Sequence, residues 1–117
     1  MTGAGRSSDG MGFSDWGEME MIAYFIGEHK ITDPAKYEEY LRQVAPMIKR
    51  FGGRYITRVG THKVLEGQWE PNRVVIIEFP DMAALNAWYN SPEYQPLIAL
   101  RRGSTSDLDM LMTLEGA

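Results

Sequence analysis

The sequence predicts an α+β fold in which one four-stranded antiparallel sheet carries two helices on one face. Two observations lead to this prediction. Strand-like and helix-like segments follow one another in the order strand, helix, strand, strand, helix, strand. Both helix-like segments have one apolar side, and each must bury that side against the sheet. This order is that of the split βαβ, or ferredoxin-like, arrangement βαββαβ.

Length and composition narrow the class of protein. The chain has 117 residues, which suffices for one small domain and not for two. Its net charge of −4 argues against a nucleic-acid partner, because such a partner needs a basic surface. The absence of cysteine excludes disulfides, thiolate catalysis and cysteine-ligated metals. No apolar run approaches the ~20 residues of a membrane span. We therefore expect a cytoplasmic protein with no membrane partner.

The first 18 residues differ from the rest of the chain. They are rich in glycine and serine and offer little to bury, so we predict a flexible arm over residues 1–18 and one domain over residues 19–117. An alternative is that Phe13 and Trp16 anchor the arm on a neighbouring subunit.

Local signals place the elements of the first half. The first strand is predicted over residues 21–26, which are apolar on both alternating faces. Asp33-Pro34 begins the first helix as N-cap and first helical residue, and Gly52-Gly53 ends it. The second strand follows over residues 54–59, and residues 62–66 extend or bulge it.

The second half repeats these signals. The third strand is predicted over residues 73–79, and Asp81 caps the second helix. Ser91-Pro92 restarts a further helical turn, and the last strand covers residues 107–114. The first and third strands are apolar on both sides, although the helices cover only one face of the sheet. We therefore predict a homodimer, sheet against sheet, with a barrel-like space that holds a pocket.

Several motifs stand out within these elements: Asp33-Pro34, Phe51-Gly52-Gly53-Arg54-Tyr55, Leu65-Glu66-Gly67, Val75-Ile76-Ile77-Glu78-Phe79-Pro80, Trp88-Tyr89-Asn90-Ser91-Pro92-Glu93-Tyr94-Gln95 and Arg101. Over about residues 21–116 they resemble the domain-of-unknown-function 1330 family. The resemblance implies a dimeric α/β barrel with a ferredoxin-like subunit. It also implies a superfamily that includes cofactor-independent monooxygenases, isomerases and haem-binding members, while the family itself has no established activity.

Glu78 is the first candidate for chemistry, since it is a single carboxylate inside an apolar strand. One interpretation makes it a general base, or a carboxylate that orients a ligand. The other makes it the partner of Arg54, Arg58 or Arg73, where it fixes strand register or the dimer. His62 is the second candidate for proton transfer, because it flanks the second strand.

Candidate ligand-binding residues are arginines and aromatic residues. The arginine fork suits a carboxylate, and the alternative is a set of salt bridges to nearby acids. Tyr24 and Tyr89 would line the pocket, and Trp69 lies in a loop that suits a lid or a dimer contact. The full candidate set is Arg54, Arg58, Arg73, Arg101, Tyr24, Trp69 and Tyr89.

No spaced ligand motif joins the two histidines, so we expect no metal and no cofactor. The sequence is then compatible with three functions. The first is a cofactor-independent enzyme, similar to an isomerase or a monooxygenase, that acts on a small aromatic or carboxylate-bearing metabolite. The second is a module that binds such a ligand without turning it over. The third is a purely structural dimer.

Overall fold

The computed structural model describes residues 21–106 and 109–116, and its elements confirm the predicted α+β, ferredoxin-like fold. Four strands, β1 (Ala23–His29), β2 (Arg54–Thr57), β3 (Arg73–Phe79) and β4 (Met110–Glu115), form one antiparallel sheet in the order β2-β3-β1-β4. Three helices, α1 (Pro34–Arg50), α2 (Met82–Tyr89) and α3 (Gln95–Ser104), supply the other layer. The predicted arm, residues 1–18, lies outside the described residues.

Side-chain caps begin the first two helices at the predicted residues. Asp33 Oδ1 accepts a hydrogen bond from the backbone N–H of Lys36 at 3.1 Å, and Asp81 Oδ1 accepts one from Ala84 at 2.7 Å. These bonds satisfy N–H groups that no helical carbonyl can reach. No helix in the described ranges is long and apolar enough to cross a membrane.

The second helical region divides into two helices, where the sequence predicted one helix with a further turn. Ser91 Oγ donates to the carbonyl of Trp88 at 2.8 Å and accepts from the backbone N–H of Tyr94 at 3.2 Å. Pro92 follows and has no N–H to continue the helical ladder. As a result α3 is a separate helix, and it places Arg101 on its buried side.

The first and last strands end later than predicted. β1 runs to His29 instead of Ile26, because its last three residues stay paired with β3 as far as Arg73. β4 ends at Glu115, and residues 107–108 of the predicted strand lie outside the described residues. The later end of β1 matters for function, since it brings a histidine into the sheet.

The second strand is shorter than predicted. A register shift against β3 follows Tyr55, and β2 ends at Thr57. The predicted extension over residues 62–66 is wrong, because residues 58–72 contain neither strand nor helix. This irregular segment includes Gly67, whose φ of 91° is a conformation that favours glycine.

The core lies between the sheet and the helices. Alternate residues of β1 and β3 point into it and meet the apolar sides of the helices, with Trp88 fully buried at the centre. The ring of Trp88 stacks on Phe79 at 5.4 Å and meets the edge of Phe25 at 5.3 Å between centroids. This aromatic packing fixes α2 on the sheet.

Gly53 allows the chain to return from α1 to the sheet, and it supplies the first prediction. A Cβ atom at Gly53 would lie 2.7 Å from Phe79 Cε1 and 2.8 Å from Ile48 Cγ2. Gly53→Ala is therefore expected to lower the free energy of unfolding by about 1–3 kcal/mol through overpacking. Urea denaturation measures this loss. Gly103→Ala is the control, because a Cβ there meets nothing within 4 Å. An unchanged midpoint for Gly53→Ala would contradict the close approach.

The face of the sheet that points away from the helices is largely apolar, and we call it the open face. Nine of its side chains, from β3, β1 and β4, form three cross-strand rows: Val74, Glu28 and Met110; Ile76, Ile26 and Met112; Glu78, Tyr24 and Leu114. The middle row is entirely apolar. On β4, Met110, Met112 and Leu114 are exposed in the single chain. Such a continuous apolar surface is typical of a protein interface.

Candidate functional site

Polar side chains are buried on the helix side of the sheet, at the end where β1 stops and β4 starts. Arg73 and His29 are direct partners in the register of β3 and β1. The pairing of Glu28 with Met110 puts Asp109 opposite His29. Helices α1 and α3 add tyrosines and an arginine above this row. We call the whole group the buried polar cluster: His29, Tyr37, Arg73, Tyr40, Tyr94, Arg101 and Asp109.

The pairing of His29 with Asp109 fixes the imidazole. His29 Nδ1 lies 2.8 Å from Asp109 Oδ2, and Asp109 Oδ1 accepts the backbone N–H of Lys30 at 2.9 Å. Because an ionised carboxylate can only accept, Nδ1 carries the proton and Nε2 holds the lone pair. Burial lowers the pKa of His29, and this outweighs the opposing effect of Asp109. The ring is therefore neutral at pH 7.

Arg101 is the unusual member of the cluster. Its side chain is buried, with only 3% of the residue exposed. Its Nη1 donates to the hydroxyl of Tyr94 at 2.9 Å, and that oxygen lies 2.7 Å from the hydroxyl of Tyr40. Among residues 21–106 and 109–116, no carboxylate lies within 4.0 Å of its guanidinium. Buried cations normally have such a partner, so this arrangement needs an explanation.

The tyrosines do not neutralise Arg101. Burial raises the pKa of Tyr37 to about 12, and it raises the pKa of Tyr40 and Tyr94 as well. All three hydroxyls are therefore protonated at pH 7 and carry no charge. They solvate the guanidinium as dipoles only.

Arg73 adds a second positive charge next to the first. Its Nε donates to the backbone carbonyl of Arg58 at 2.5 Å, and its Cζ lies 5.2 Å from the ring centroid of Tyr37. Arg58 in turn lies over the ring of Tyr55 at 4.9 Å. In the described part of the chain neither guanidinium pairs with a carboxylate within 4.0 Å. With His29 neutral, Asp109 is the carboxylate of the buried polar cluster that opposes these cations.

A cavity of about 330 Å³ adjoins the cluster between α3 and β4. Such a volume is at the small end of ligand sites in proteins. Five of its six lining residues carry guanidinium, hydroxyl or carboxylate groups, and one leucine supplies an apolar side chain. The lining residues are Arg101, Arg102, Thr105, Ser106, Asp109 and Leu111.

Three of the sequence-predicted ligand residues lie on this side of the sheet. Arg73 and Arg101 belong to the buried polar cluster. Tyr89 is half-buried in the aromatic core, 6.1 Å from Phe25 and 5.6 Å from Tyr94 between ring centroids. The structure therefore brings the two arginines together and leaves Tyr89 in the packing beside them.

Two other ligand candidates, Arg54 and Tyr24, lie with the catalytic candidate Glu78 on the open face or at its edge. Arg54 Nε donates to Glu78 Oε1 at 2.6 Å, and the hydroxyl of Tyr24 lies 3.5 Å from Glu78 Oε2. Arg54 and Glu78 are also direct partners in the register of β2 and β3. Of the two interpretations of Glu78, the ion pair with an arginine is the one that this geometry supports.

The remaining candidates lie in or beside the irregular segment. Trp69 is exposed and lines a groove of about 620 Å³ that includes Val74, Met110 and Met112. His62 is exposed, and the cavities that it lines do not include Glu78. The two residues predicted to transfer protons are thus not brought together.

Most members of the buried polar cluster were not predicted from the sequence. The predicted first strand ends at Ile26, before His29, and the candidate set does not contain Tyr37 or Tyr40. One signal was available: Ala23, Phe25, Gly27 and His29 alternate, so a histidine continues the buried face of β1. Within the described ranges, no group of three or more histidine, aspartate or glutamate side chains could hold a metal ion.

Fold and site together define a small ferredoxin-like protein with a charged, ligand-sized cavity between its helices and its sheet. The family described as "Domain of unknown function (DUF1330)" matches residues 22–116, and the chain belongs to that family. A search of curated proteins gives no significant match.

Solved structures share the fold at low sequence identity. A protein of unknown function from Rhodopseudomonas palustris is 18% identical, with a TM-score of 0.70 and 95% of each chain covered. SnoaB, a cofactor-independent oxygenase from Streptomyces nogalater, is 16% identical at a TM-score of 0.58, covering 83% of this chain and 94% of its own. A dimeric ferredoxin-like protein of unknown function from Jannaschia sp. CCS1 is 18% identical at 0.55, covering 80% and 98%. At such identities the likeness concerns the fold alone.

Proposed function

We propose that this protein is a homodimer that binds a small carboxylate-bearing molecule in the cavity beside Arg101. The observation that carries the proposal is the buried guanidinium with no carboxylate partner in the described part of the chain. An anionic ligand would supply the missing charge. A carboxylate fits the planar fork of an arginine in a bidentate manner.

Size and charge both favour a small monoanion. The cavity of about 330 Å³ suits a molecule with a single ring or a short chain. The two arginines of the cavity wall, Arg101 and Arg102, exceed Asp109 by one positive charge, which one carboxylate would balance. Leu111 would contact the apolar part of such a ligand.

We further propose cofactor-independent chemistry on this ligand, similar to that of an isomerase or a monooxygenase. The support is the fold shared with SnoaB, together with a histidine and a carboxylate next to the cavity. Glu78 and His62 stay sequence predictions for the proton-transfer group, and the Glu78→Gln and His62→Gln variants test them. The alternative is a binding module without turnover, which the polar lining of the cavity supports equally.

The dimer is proposed to form through the open face. The apolar middle row of Ile76, Ile26 and Met112 would be buried by the same row of a second copy. The Jannaschia neighbour is itself described as dimeric. In such a dimer the groove next to Trp69 would be enclosed between the two sheets.

The ligand proposal is tested with matched pairs of compounds. Phenylacetate and phenylpyruvate carry the carboxylate, and phenylacetamide replaces it by a neutral group of the same shape. We expect the carboxylates to raise the midpoint of thermal unfolding with concentration, because only the folded state binds them. Isothermal calorimetry gives the dissociation constants. Equal effects of acid and amide, or no effect of either, would contradict an anion site.

A further inference from the structure

We infer that His29, oriented by Asp109, is a general base that removes a carbon-bound proton from an enolisable carboxylate held in the cavity. This inference rests on the proposed function and goes beyond it, since it assigns the reaction step, the base and the substrate class. It also moves the proton-transfer role away from Glu78 and His62 to a pair that lies 80 residues apart in sequence.

Asp109 holds the ring in one orientation and one tautomer. Both of its oxygens are used, one by His29 Nδ1 and one by the backbone N–H of Lys30. The carboxylate is thus anchored to two successive residues at the end of β1 and cannot turn away from the ring. An imidazole held in this way presents Nε2 as its basic atom. Asp109 is a positioning residue in this scheme, and it would also stabilise the imidazolium that forms.

His29 Nε2 faces Gly27, which has no side chain to cover it. A Cβ atom at Gly27 would lie 3.1 Å from His29 Nε2 and 2.9 Å from Leu111 Cδ2. Nε2 and the leucine methyl therefore meet at the same point, and Leu111 is part of the cavity wall. No described residue forms a hydrogen bond with Nε2. His29 is itself buried, and its ring lies behind Leu111 and Asp109, two residues of the cavity wall, so a ligand would reach the lone pair past the Leu111 side chain.

The charges around the ring favour the basic form and the product of proton removal. Polar or charged groups face His29 from four sides: Asp109 immediately before β4, Arg73 from β3, Arg101 from α3 and Tyr37 from α1. Burial, aided by the two arginines, lowers the pKa of the imidazole, so it is ready to accept a proton at neutral pH. The same arginines would stabilise a developing enolate oxygen.

The step balances without an oxidant or a reductant. Nε2 forms a bond to hydrogen while the C–H bond next to a carbonyl group breaks. The electron pair of that bond becomes the carbon–carbon double bond of the enolate, and the carbonyl oxygen gains the negative charge. Return of the proton from the imidazolium to the same carbon or to another restores the base. Exchange with solvent protons makes the step visible, whatever the final product is.

The test is exchange of the C3 protons of phenylpyruvate for deuterium in D₂O buffer, followed by ¹H NMR. Phenylpyruvate is a small aromatic carboxylate with acidic protons next to its keto group. The wild-type protein is expected to accelerate exchange about 100-fold over buffer, a typical effect of a positioned base. His29→Gln should lose this acceleration, while calorimetry shows that phenylpyruvate still binds. Glu66→Gln, an exposed acid far from the cluster, is the control and should keep the full rate.

The pH profile and two further variants separate a base from a merely structural histidine. The catalysed rate should level off at neutral pH and fall as the pH drops through the pKa of His29, which lies below 6.5. Asp109→Asn removes the charge that raises this pKa, so the fall should move to lower pH. Gly27→Ala should abolish exchange with both residues of the pair intact, because the new methyl group covers Nε2. It keeps the test valid if His29→Gln does not fold.

The outcomes distinguish the inference from the proposed function. If phenylpyruvate binds but wild-type protein does not accelerate its exchange, the inference is overturned and the binding site stands. If neither phenylacetate nor phenylpyruvate binds, both the inference and the proposed binding function are overturned. Full exchange in His29→Gln, with loss in Glu78→Gln or His62→Gln, would assign the base to the other face and overturn the inference.

Discussion

Replacing Arg101 with leucine is expected to weaken carboxylate binding by at least about 100-fold and to leave the ligand-free protein no less stable. The loss follows because truncation of one partner in a buried, hydrogen-bonded charge pair costs roughly 2–5 kcal/mol of binding free energy. Stability should not fall in parallel, because the guanidinium is buried with tyrosine hydroxyls and no described carboxylate. Removing an unpaired buried charge is often neutral or stabilising.

Calorimetry with phenylacetate and urea denaturation without ligand measure the two effects on the same samples. Arg42→Leu is the matched control, because Arg42 is an exposed arginine whose partner is Glu39 one helical turn away. It should leave binding unchanged. A variant Arg101→Leu that binds phenylacetate as tightly as the wild type would remove the basis for the anion site. A large loss of stability with binding retained would make Arg101 a purely structural residue.

Binding and stability are expected to respond differently because Arg101 serves ligand binding and not the stability of the fold. A fold that needed only stability would place a leucine or methionine at position 101, where Leu97 and Ile98 already pack. A buried cation whose partners are neutral is instead typical of a site that binds an anion. The tyrosine pair keeps the guanidinium in place without cancelling its charge.

Much of the fold was readable from local sequence. Asp33 and Asp81 begin helices because a carboxylate can accept the free N–H groups of a first turn, which is a property of a few neighbouring residues. The order of the elements then left few topologies to consider. Errors appeared where local signals were weak. Residues 62–66 look like a strand, yet they have no partner in the sheet.

The site was harder to predict because it depends on register. His29, Arg73 and Asp109 are separated by long stretches of sequence, and they meet only because three strands pair in one alignment. A shift of one residue would send each side chain to the other face. Tyr40 and Tyr94 have the helical spacing and size of core residues, and they are core residues. Their hydroxyl pair emerges only when α1 and α3 are packed together.

For Glu78 the sequence left two interpretations open, a general base and the partner of an arginine. A carboxylate in an apolar strand does need a partner, and Arg54 provides it directly across from β2. The pair lies on the open face, beyond the sheet from the buried polar cluster. Its position at one end of the apolar rows suits a role in fixing how two copies align.

A substitution on the open face is expected to have a second large effect, on dimer formation. Met112→Glu is expected to convert a dimer to a monomer at micromolar concentration, with the dissociation constant raised by at least about 100-fold. Met112 lies in the apolar middle row and is 54% exposed in the single chain, so a glutamate there is solvated in the monomer. In a symmetric dimer each substitution enters the interface twice, and the new carboxylates must be buried without partners.

Sedimentation equilibrium of wild type and variant measures the effect, and circular dichroism shows whether the monomer keeps its fold. Ala99→Glu is the control, because Ala99 is exposed on α3, in the helical layer on the other side of the sheet. It should leave the dimer intact. If Met112→Glu remains dimeric, the second copy does not cover the open face. If the wild type is monomeric, the apolar rows serve another partner. A monomeric Met112→Glu that still binds phenylacetate would show that the cavity beside Arg101 is complete within one chain, because its lining residues all belong to that chain.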